Sequence, residues 1–114
     1  MENSFNTLRH SILCLELNDL YRKKNADYGD SFHISFIEEG MAMPRIRLTD
    51  KLMRFKQLTT SGTRKVTDES IRDTLIDLAN YAIMTIMEID ALNADDVDEE
   101  EEELKNIDGF MYFQ

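Results

Sequence analysis

The residues best suited to chemistry in this chain are carboxylates along a predicted helix in its second half. Glu69, Asp73 and Asp77 follow one another at intervals of four residues, which places them on one face of a helix. Adjacent carboxylates repel one another, and no lysine or arginine stands at an i+4 position to relieve the repulsion. A divalent cation would relieve it, and Mg²⁺ prefers carboxylate oxygen. The competing interpretation is a solvated helix face without a ligand.

A second pair of carboxylates, Glu16 and Asp19, lies in the predicted first helix. On a helical wheel the pair forms, with Lys23, a polar line inside an otherwise apolar face. Charges on a simple surface helix lie opposite the core instead. If this helix packs beside the acid row, four or five carboxylates converge, as in the metal sites of helix bundles. Two ions held there could bind phosphates and activate a water. The alternative is that the pair is neutralised by Lys23 or another cation.

A phosphate substrate also needs positive charge. Basic residues cluster near the end of the first helix and around the start of a middle helix: Lys23 and Lys24, then Arg45, Arg47, Lys51 and Arg54. For each of them alone, a solvent or salt-bridge role is the alternative. His10 and His33 have no metal-ligand spacing and are predicted to be ordinary surface or loop residues.

Aromatic and amide side chains could recognise a nucleoside. Tyr28, Phe32 and Tyr81 could stack on a base, although packing in the core is the commoner use of such rings. Asn80 stands at the end of the acid row and could bind a base or sugar edge. No phosphate-binding glycine loop accompanies these residues.

The elements that must position these side chains are helices, because strand-like alternation is absent. We predict an all-α bundle of two long and one or two short helices within one domain, residues 1–92. The long helices run from about Ser4 or Asn6 to Asn25 and from Thr67 or Asp68 to about Leu92. NADYGDSF, with Asp27, is predicted to be the turn after the first helix.

The middle of the chain is predicted to hold the short helices. One runs from about Ser31 to Glu39 and is stopped by Gly40. The stretch MAMPRIRL contains Pro44 and is predicted to be extended. Thr49 is predicted to be the N-cap of a helix through about Leu58. Leu48, Leu52 and Phe55 are its predicted core-facing residues, and TTSGTRK is a predicted loop.

Composition limits the class of protein. The 114 residues carry 13 basic and 23 acidic side chains, a formal charge of −10, which disfavours direct nucleic-acid binding. No apolar run is long enough for a membrane span, and the N-terminal segment does not resemble a signal peptide. The single cysteine, Cys14, cannot form an intrachain disulfide or a cysteine zinc site and is predicted to be buried. We therefore expect a cytoplasmic protein.

The C-terminal segment, residues 93–114, has its own composition. Eight acidic residues fall within positions 95–103. A like-charged run of this kind favours a solvated, disordered tail, with a functional acidic arm as the alternative.

Three stretches, in order, resemble the signatures of one family: KKNADYGDSF, RLTDKLMRFKQL and ESIRDTLIDLANYAIM. They are similar to those of the phage and bacterial family called nucleotide modification associated domain 1, which resembles the MazG-like all-α NTP pyrophosphatases. The resemblance runs from roughly Glu16 to Leu92. It implies a helical, oligomeric protein of phage-type nucleotide metabolism, in the host cytoplasm if phage-encoded. The implied reaction is Mg²⁺- or Mn²⁺-dependent cleavage of a nucleoside triphosphate to the monophosphate and pyrophosphate.

The resemblance also implies roles for individual residues. The implied metal ligands are Glu16, Asp19, Glu69, Asp73 and Asp77, of which Glu16, Glu69 and Asp73 are also the implied catalytic residues. The implied substrate-binding residues are Lys24, Asp27, Tyr28, Lys51, Arg54, Asn80 and Tyr81. The pyrophosphatases carry ExxE on one helix and ExxD on another, whereas this chain has Glu16-x-x-Asp19 and the longer Glu69-x-x-x-Asp73.

Two further expectations concern partners. The predicted helices have more apolar face than one chain can bury, which favours a homodimer or homotetramer. The rival functional class is a non-catalytic acidic protein that binds or inhibits a host protein, for example as a nucleic-acid mimic. A mimic needs exposed charge, whereas Glu16 and Asp19 lie within an apolar stripe.

Overall fold

The computed structural model of the protein describes residues 2–28, 30–60 and 68–94. These ranges hold four helices and no strand: α1 (Glu2–Tyr28), α2 (Ser31–Glu39), α3 (Ala42–Thr60) and α4 (Asp68–Leu92). The prediction of an all-α fold is confirmed, as are the bounds of α2 and α4. The predicted loop TTSGTRK, residues 59–65, begins too early, because Thr59 and Thr60 belong to α3. The rest of that loop and almost all of the predicted tail lie outside the described residues.

The start of α3 corrects the predicted extended stretch. The helix begins at Ala42, so Pro44 is helical and Thr49 lies inside α3 instead of capping it. Proline is tolerated here because a backbone N–H in the first turn has no intrahelical partner to lose. Leu52 is 56% exposed, so its predicted core position was also wrong.

The junction between α2 and α3 is a single tight reversal at Gly40. Its backbone has φ 65° and ψ −152°, a conformation that is essentially restricted to glycine. The Gly40 N–H donates to the Phe36 carbonyl at 2.8 Å, which closes the end of α2. The predicted helix stop is therefore confirmed, and it brings the start of α3 directly back beside α2.

The core of the described chain is small and lies where α2, α3 and α4 meet. Phe36, Met43 and Pro44 are its buried apolar residues. Thr74 and Thr85 of α4 are also buried, and each hydroxyl donates to the carbonyl four residues earlier, at 2.9 and 2.7 Å. These bonds satisfy the buried hydroxyls without a partner from another helix. The contact between α3 and α4 is the most extensive of any helix pair.

The first helix is longer and more exposed than predicted. It continues through Asp27 to Tyr28, because no glycine or proline occurs before residue 29 to end it. Every described side chain from residue 4 to residue 16 is exposed, so the N-terminal half of α1 is largely uncovered by the rest of the described chain. Cys14 is exposed, which corrects its predicted burial.

Candidate functional site

The packing of α1 against α4 brings four predicted metal ligands to one depression of about 410 Å³. We call these four carboxylates the acid junction: Glu16, Asp19, Asp73 and Asp77. Glu69, the fifth predicted ligand, is exposed and does not line the depression. Four of the five predicted ligands therefore line one depression, as a junction of the two helices requires, and Glu69 does not.

Glu16 is held by an arginine that sequence reasoning did not single out. The Arg72 guanidinium donates to both carboxylate oxygens of Glu16, at 2.6 and 2.7 Å. Hydrogen bonding from Arg72 lowers the pKa of the Glu16 carboxyl below its ordinary value of 4.5, and the same pair raises the pKa of Arg72. The feature of the sequence that could have revealed the pair is the position of Arg72, which immediately precedes the predicted ligand Asp73 on α4.

Asp77 is held by two lysines from two different helices. Lys24 of α1 lies 3.3 Å from one of its oxygens, and Lys51 of α3 lies 3.2 Å from the other. Asp19 pairs with Lys23 on its own helix at 3.1 Å. The cations that relieve the repulsion between Asp77 and the other carboxylates of α4 thus come from α1 and α3. The i+4 positions along α4 alone could not reveal them. Pairing of Glu16 and Asp19 with cations was the alternative that the sequence left open, and the structure contains it.

In this arrangement the acid junction does not fit a metal ion. Oxygen is the donor that Mg²⁺ requires. However, the described part of the chain contains no group of three or more acidic, histidine or cysteine side chains that could hold an ion. Both oxygens of Glu16 and both oxygens of Asp77 are already engaged by cations of the chain. Binding of Mg²⁺ stays a prediction, and no chemical step is derived through it.

A larger cleft of about 470 Å³, which we call the aromatic cleft, lies beside the acid junction. All four helices contribute to its lining: Tyr21, Lys24, Asn25, Ser31, Phe32, Ser35, Met43, Arg47, Asp77, Asn80, Tyr81 and Met84. Its volume falls within the range of small-molecule sites, about 300–1,000 Å³. Its lining combines apolar, amide, hydroxyl and charged groups, as such sites commonly do.

Two aromatic rings stack in this cleft. The Phe32 and Tyr81 rings lie 6.1 Å apart between centroids, with 26° between their planes. Asn80 of α4 donates its side-chain amide to the Leu17 carbonyl of α1 at 3.2 Å. This bond fixes the Asn80 side chain at the cleft wall and joins α1 to α4. Phe32, Tyr81 and Asn80 thus line one cleft, and their role in recognising a nucleoside stays a prediction.

The charge at the cleft is positive, although the chain as a whole carries −10. Lys24 and Arg47 line it, against Asp77 as its one acidic lining residue, and Lys51 adds a further cation on Asp77. Arg47 forms no ion pair within the described ranges. Arg47 is therefore the lining cation that is available to an anionic ligand.

The aromatic cleft and the acid junction are adjacent parts of one surface. Lys24 and Asp77 line both of them. Of the other predicted substrate-binding residues, Arg54 is exposed and lines neither depression. The side chains of Asp27 and Tyr28 lie outside those that the structure describes.

A histidine beside the cleft is more than the predicted surface or loop residue. His33 lies within α2, next to Phe32, and its Nδ1 is 2.6 and 3.1 Å from the two carboxylate oxygens of Glu88 on α4. Hydrogen bonding and charge attraction from Glu88 raise the pKa of His33, and Asp30 adds to the effect. The pair ties α2 to α4 close to the stacked rings.

The fold and the site together define an all-α protein with a ligand-sized cleft where its four helices meet. The family model described as nucleotide modification associated domain 1 matches residues 24–89, more than half of the chain. The chain therefore belongs to that family, as its three motifs indicated. No curated protein and no solved structure matches it. Every lining residue of the aromatic cleft except Tyr21 falls within the matched region, whereas Glu16 and Asp19 precede it.

Proposed function

We propose that this protein binds a nucleoside phosphate in the aromatic cleft. The observation that carries the proposal is the presence of the stacked Phe32–Tyr81 pair and the cations Lys24 and Arg47 in one cleft. A nucleotide has both parts that these groups recognise, since its base presents a flat π-face and its phosphates carry negative charge. The family description, which refers to nucleotide modification, agrees with this ligand class.

The orientation of the ligand follows from where the groups lie. The base would occupy the side of the cleft with Phe32 and Tyr81, where Asn80 offers an amide to its edge or to the sugar. The phosphates would reach toward Lys24, which lines both depressions, with Lys51 close by on Asp77. The phosphate chain would then extend from the cleft to the edge of the acid junction.

The reaction we propose is cleavage of a nucleoside triphosphate to the monophosphate and pyrophosphate, in phage-type nucleotide metabolism in the cytoplasm. It rests on the family resemblance together with the cleft. In such a reaction this chain's residues would orient the phosphates through Lys24 and Lys51. Asp73 lines the acid junction without an ion pair among the described residues, and it would be the carboxylate available to the reaction. None of the described helices is both long and apolar enough to cross a membrane.

We also propose that the chain functions as a homodimer or homotetramer. Four apolar residues of α1 are each more than half exposed, and the spacing between them alternates between three and four residues. We call them the α1 stripe: Phe5, Leu8, Ile12 and Leu15. This is the spacing of a coiled-coil seam, which pairs with another helix. A second copy of the same chain is the simplest partner that brings a complementary apolar stripe.

Binding can be tested by calorimetric titration of the full chain with the ribo- and deoxynucleoside triphosphates. We expect Phe32→Leu to weaken binding about tenfold or more, because stacking on an aromatic ring contributes about 1–3 kcal/mol per base. Phe55→Leu is the matched control, since it makes the same change in a half-buried ring of α3 that does not line the cleft. Equal effects of the two substitutions would contradict a base site at Phe32.

Turnover can be tested in the same preparations by measuring pyrophosphate release. We expect release by the wild type and its loss in Asp73→Ala. Binding without release would retain the nucleotide site and reject the hydrolase. Failure of every nucleotide to bind would reject both and favour the non-catalytic acidic interaction protein.

A further inference from the structure

We infer that this protein binds its nucleotide without a divalent metal ion, because its own lysine and arginine side chains pair with three of the five carboxylates that the resemblance assigns to Mg²⁺ and balance the charge of the acid junction. The inference rests on the proposed function for the ligand. The part of the inference that excludes a metal ion from the carboxylates rests separately on the ion pairs of the acid junction.

The first support is the charge balance. Three of the four carboxylates of the acid junction are paired with cations: Glu16 with Arg72, Asp19 with Lys23, and Asp77 with both Lys24 and Lys51. Asp73 is in no ion pair among the described residues, but the four cations balance the four carboxylates in number. The group is therefore neutral as it stands. Sites for hard divalent ions derive much of their affinity from uncompensated carboxylate charge. An ion added to this group would meet no net negative charge.

The second support is how the carboxylate oxygens are used. Arg72 takes both oxygens of Glu16 in a bidentate pair, the strongest common geometry for these groups. Lys24 and Lys51 each take one oxygen of Asp77. A metal ion would have to displace Arg72 or the lysines before these carboxylates could coordinate it. The same lysines would then lose the carboxylate that holds them beside the cleft.

The third support is that the cleft already contains the charges a metal ion would supply. In many nucleotide sites Mg²⁺ neutralises the phosphates. Here Lys24 and Arg47 line the cleft; Lys24 is paired with Asp77, whereas Arg47 has no ion-pair partner among the described residues. These side chains can bind phosphate oxygens directly. The ligand class is therefore the metal-free nucleoside phosphate.

The acid junction can be tested with Mn²⁺ as a paramagnetic probe of divalent-ion binding. We expect no saturable Mn²⁺ site that depends on Asp73 or Asp77. A saturable site on the wild type that is lost in Asp73→Asn or Asp77→Asn would overturn the inference. Mn²⁺ binding that persists unchanged in both variants would belong to other carboxylates. Such binding would support the inference, and so would the absence of any Mn²⁺ binding.

Nucleotide binding can be tested by titrating the full chain with ATP and the other triphosphates, in EDTA and in Mg²⁺. We expect the affinity in EDTA to equal or exceed that in Mg²⁺. An affinity about tenfold or more tighter in Mg²⁺, a difference of about 1.4 kcal/mol, would overturn the inference. Failure to bind in both conditions would reject the proposed function, and the Mn²⁺ titration would still decide whether the acid junction excludes a metal ion.

The cation that replaces the metal can be identified within the same experiment. We expect Arg47→Gln to weaken binding of ATP in EDTA about tenfold, the scale of a lost hydrogen bond to a charged group. Arg45→Gln is the matched control, because Arg45 is exposed on the same turn of α3 and does not line the cleft. Equal losses in the two variants would mean that general surface charge, and not Arg47, attracts the nucleotide.

Discussion

Arg72 determines what Glu16 can do. Both oxygens of the Glu16 carboxylate accept hydrogen bonds from this one guanidinium, so Glu16 is a charged anchor between α1 and α4. Asp73, the next residue along α4, lines the acid junction without an ion pair among the described residues. Neighbouring side chains on one helix thus have different roles, because only one of them reaches across to Glu16.

The Glu16–Arg72 pair predicts a loss of stability in acid. Arg72 lowers the pKa of Glu16, so the pair's contribution is present above the ordinary value of 4.5 and is lost as the pH falls through the lowered value. We expect the melting-temperature difference between wild type and Glu16→Gln to be constant at neutral pH and to shrink in that acidic range. Arg72→Gln, which removes the other partner of the pair, is expected to show the same decline. A difference that stays constant to low pH would contradict the role of the pair.

The His33–Glu88 pair predicts the opposite pH dependence. Glu88 raises the pKa of His33, so the pair's contribution is complete below the ordinary value of 6.5 and is lost as the pH rises through the raised value. We expect the melting-temperature advantage of wild type over His33→Gln to vanish in alkaline solution. Glu88→Gln should remove the same advantage, whereas Glu38→Gln, at an exposed position of α2, should not. An advantage that grows with pH would contradict this assignment.

At the scale of elements, short connections determine where α2 and α3 lie. Gly40 reverses the chain within one residue of the end of α2, and Pro44 enters the first turn of α3 as a buried residue. This reversal sets Phe32 of α2 and Arg47 of α3 on the same cleft. The two residues lie 15 positions apart in the sequence, so the connection between their helices is what brings them together.

Substitution at Gly40 should therefore destabilise the fold through the backbone alone. Its φ of 65° is unfavourable for residues with a side chain, while an added Cβ would meet nothing within 4 Å. We expect Gly40→Ala to lower the free energy of unfolding by about 1–3 kcal/mol, the cost of such a conformation. Urea denaturation measures this change in the free energy of unfolding. The control is Glu39→Ala, at an exposed neighbouring position, which we expect to change stability by less than about 0.5 kcal/mol. Equal effects at the two positions would mean that the turn does not require glycine.

At the scale of the whole molecule, the exposed apolar surface predicts self-association. The N-terminal half of α1 projects from the core with its stripe uncovered, and Ile86 and Leu92 of α4 are also more than half exposed. We expect Leu8→Glu to shift the protein toward a monomer in sedimentation analysis, because it places a charge in the seam. Asn6→Glu adds the same charge on another side of α1 and should leave the assembly intact. A wild type that sediments as a monomer at all concentrations would reject the proposed oligomer.

The sequence by itself determined the helical class, the bounds of α2 and α4, and the stop at Gly40. These are local properties, since periodicity, caps and glycine act within a few residues. It singled out Glu16, which pairs with Arg72 of α4, but it also singled out Asp19, which is an exposed carboxylate paired with Lys23 on its own helix. It failed at the start of α3, because a proline at position 44 is compatible with either an extended stretch or a first helical turn.

Only the tertiary structure decided which charge stands opposite each carboxylate. The partners Lys24 and Asp77 are 53 residues apart, Glu16 and Arg72 are 56 apart, and His33 and Glu88 are 55 apart. A helical wheel gives the face on which a side chain lies, but the packing of helices decides which residue meets that face. For this reason the acid row could be read from the sequence as a metal site, and the pairing of Asp77 with Lys24 and Lys51 became visible only in the fold.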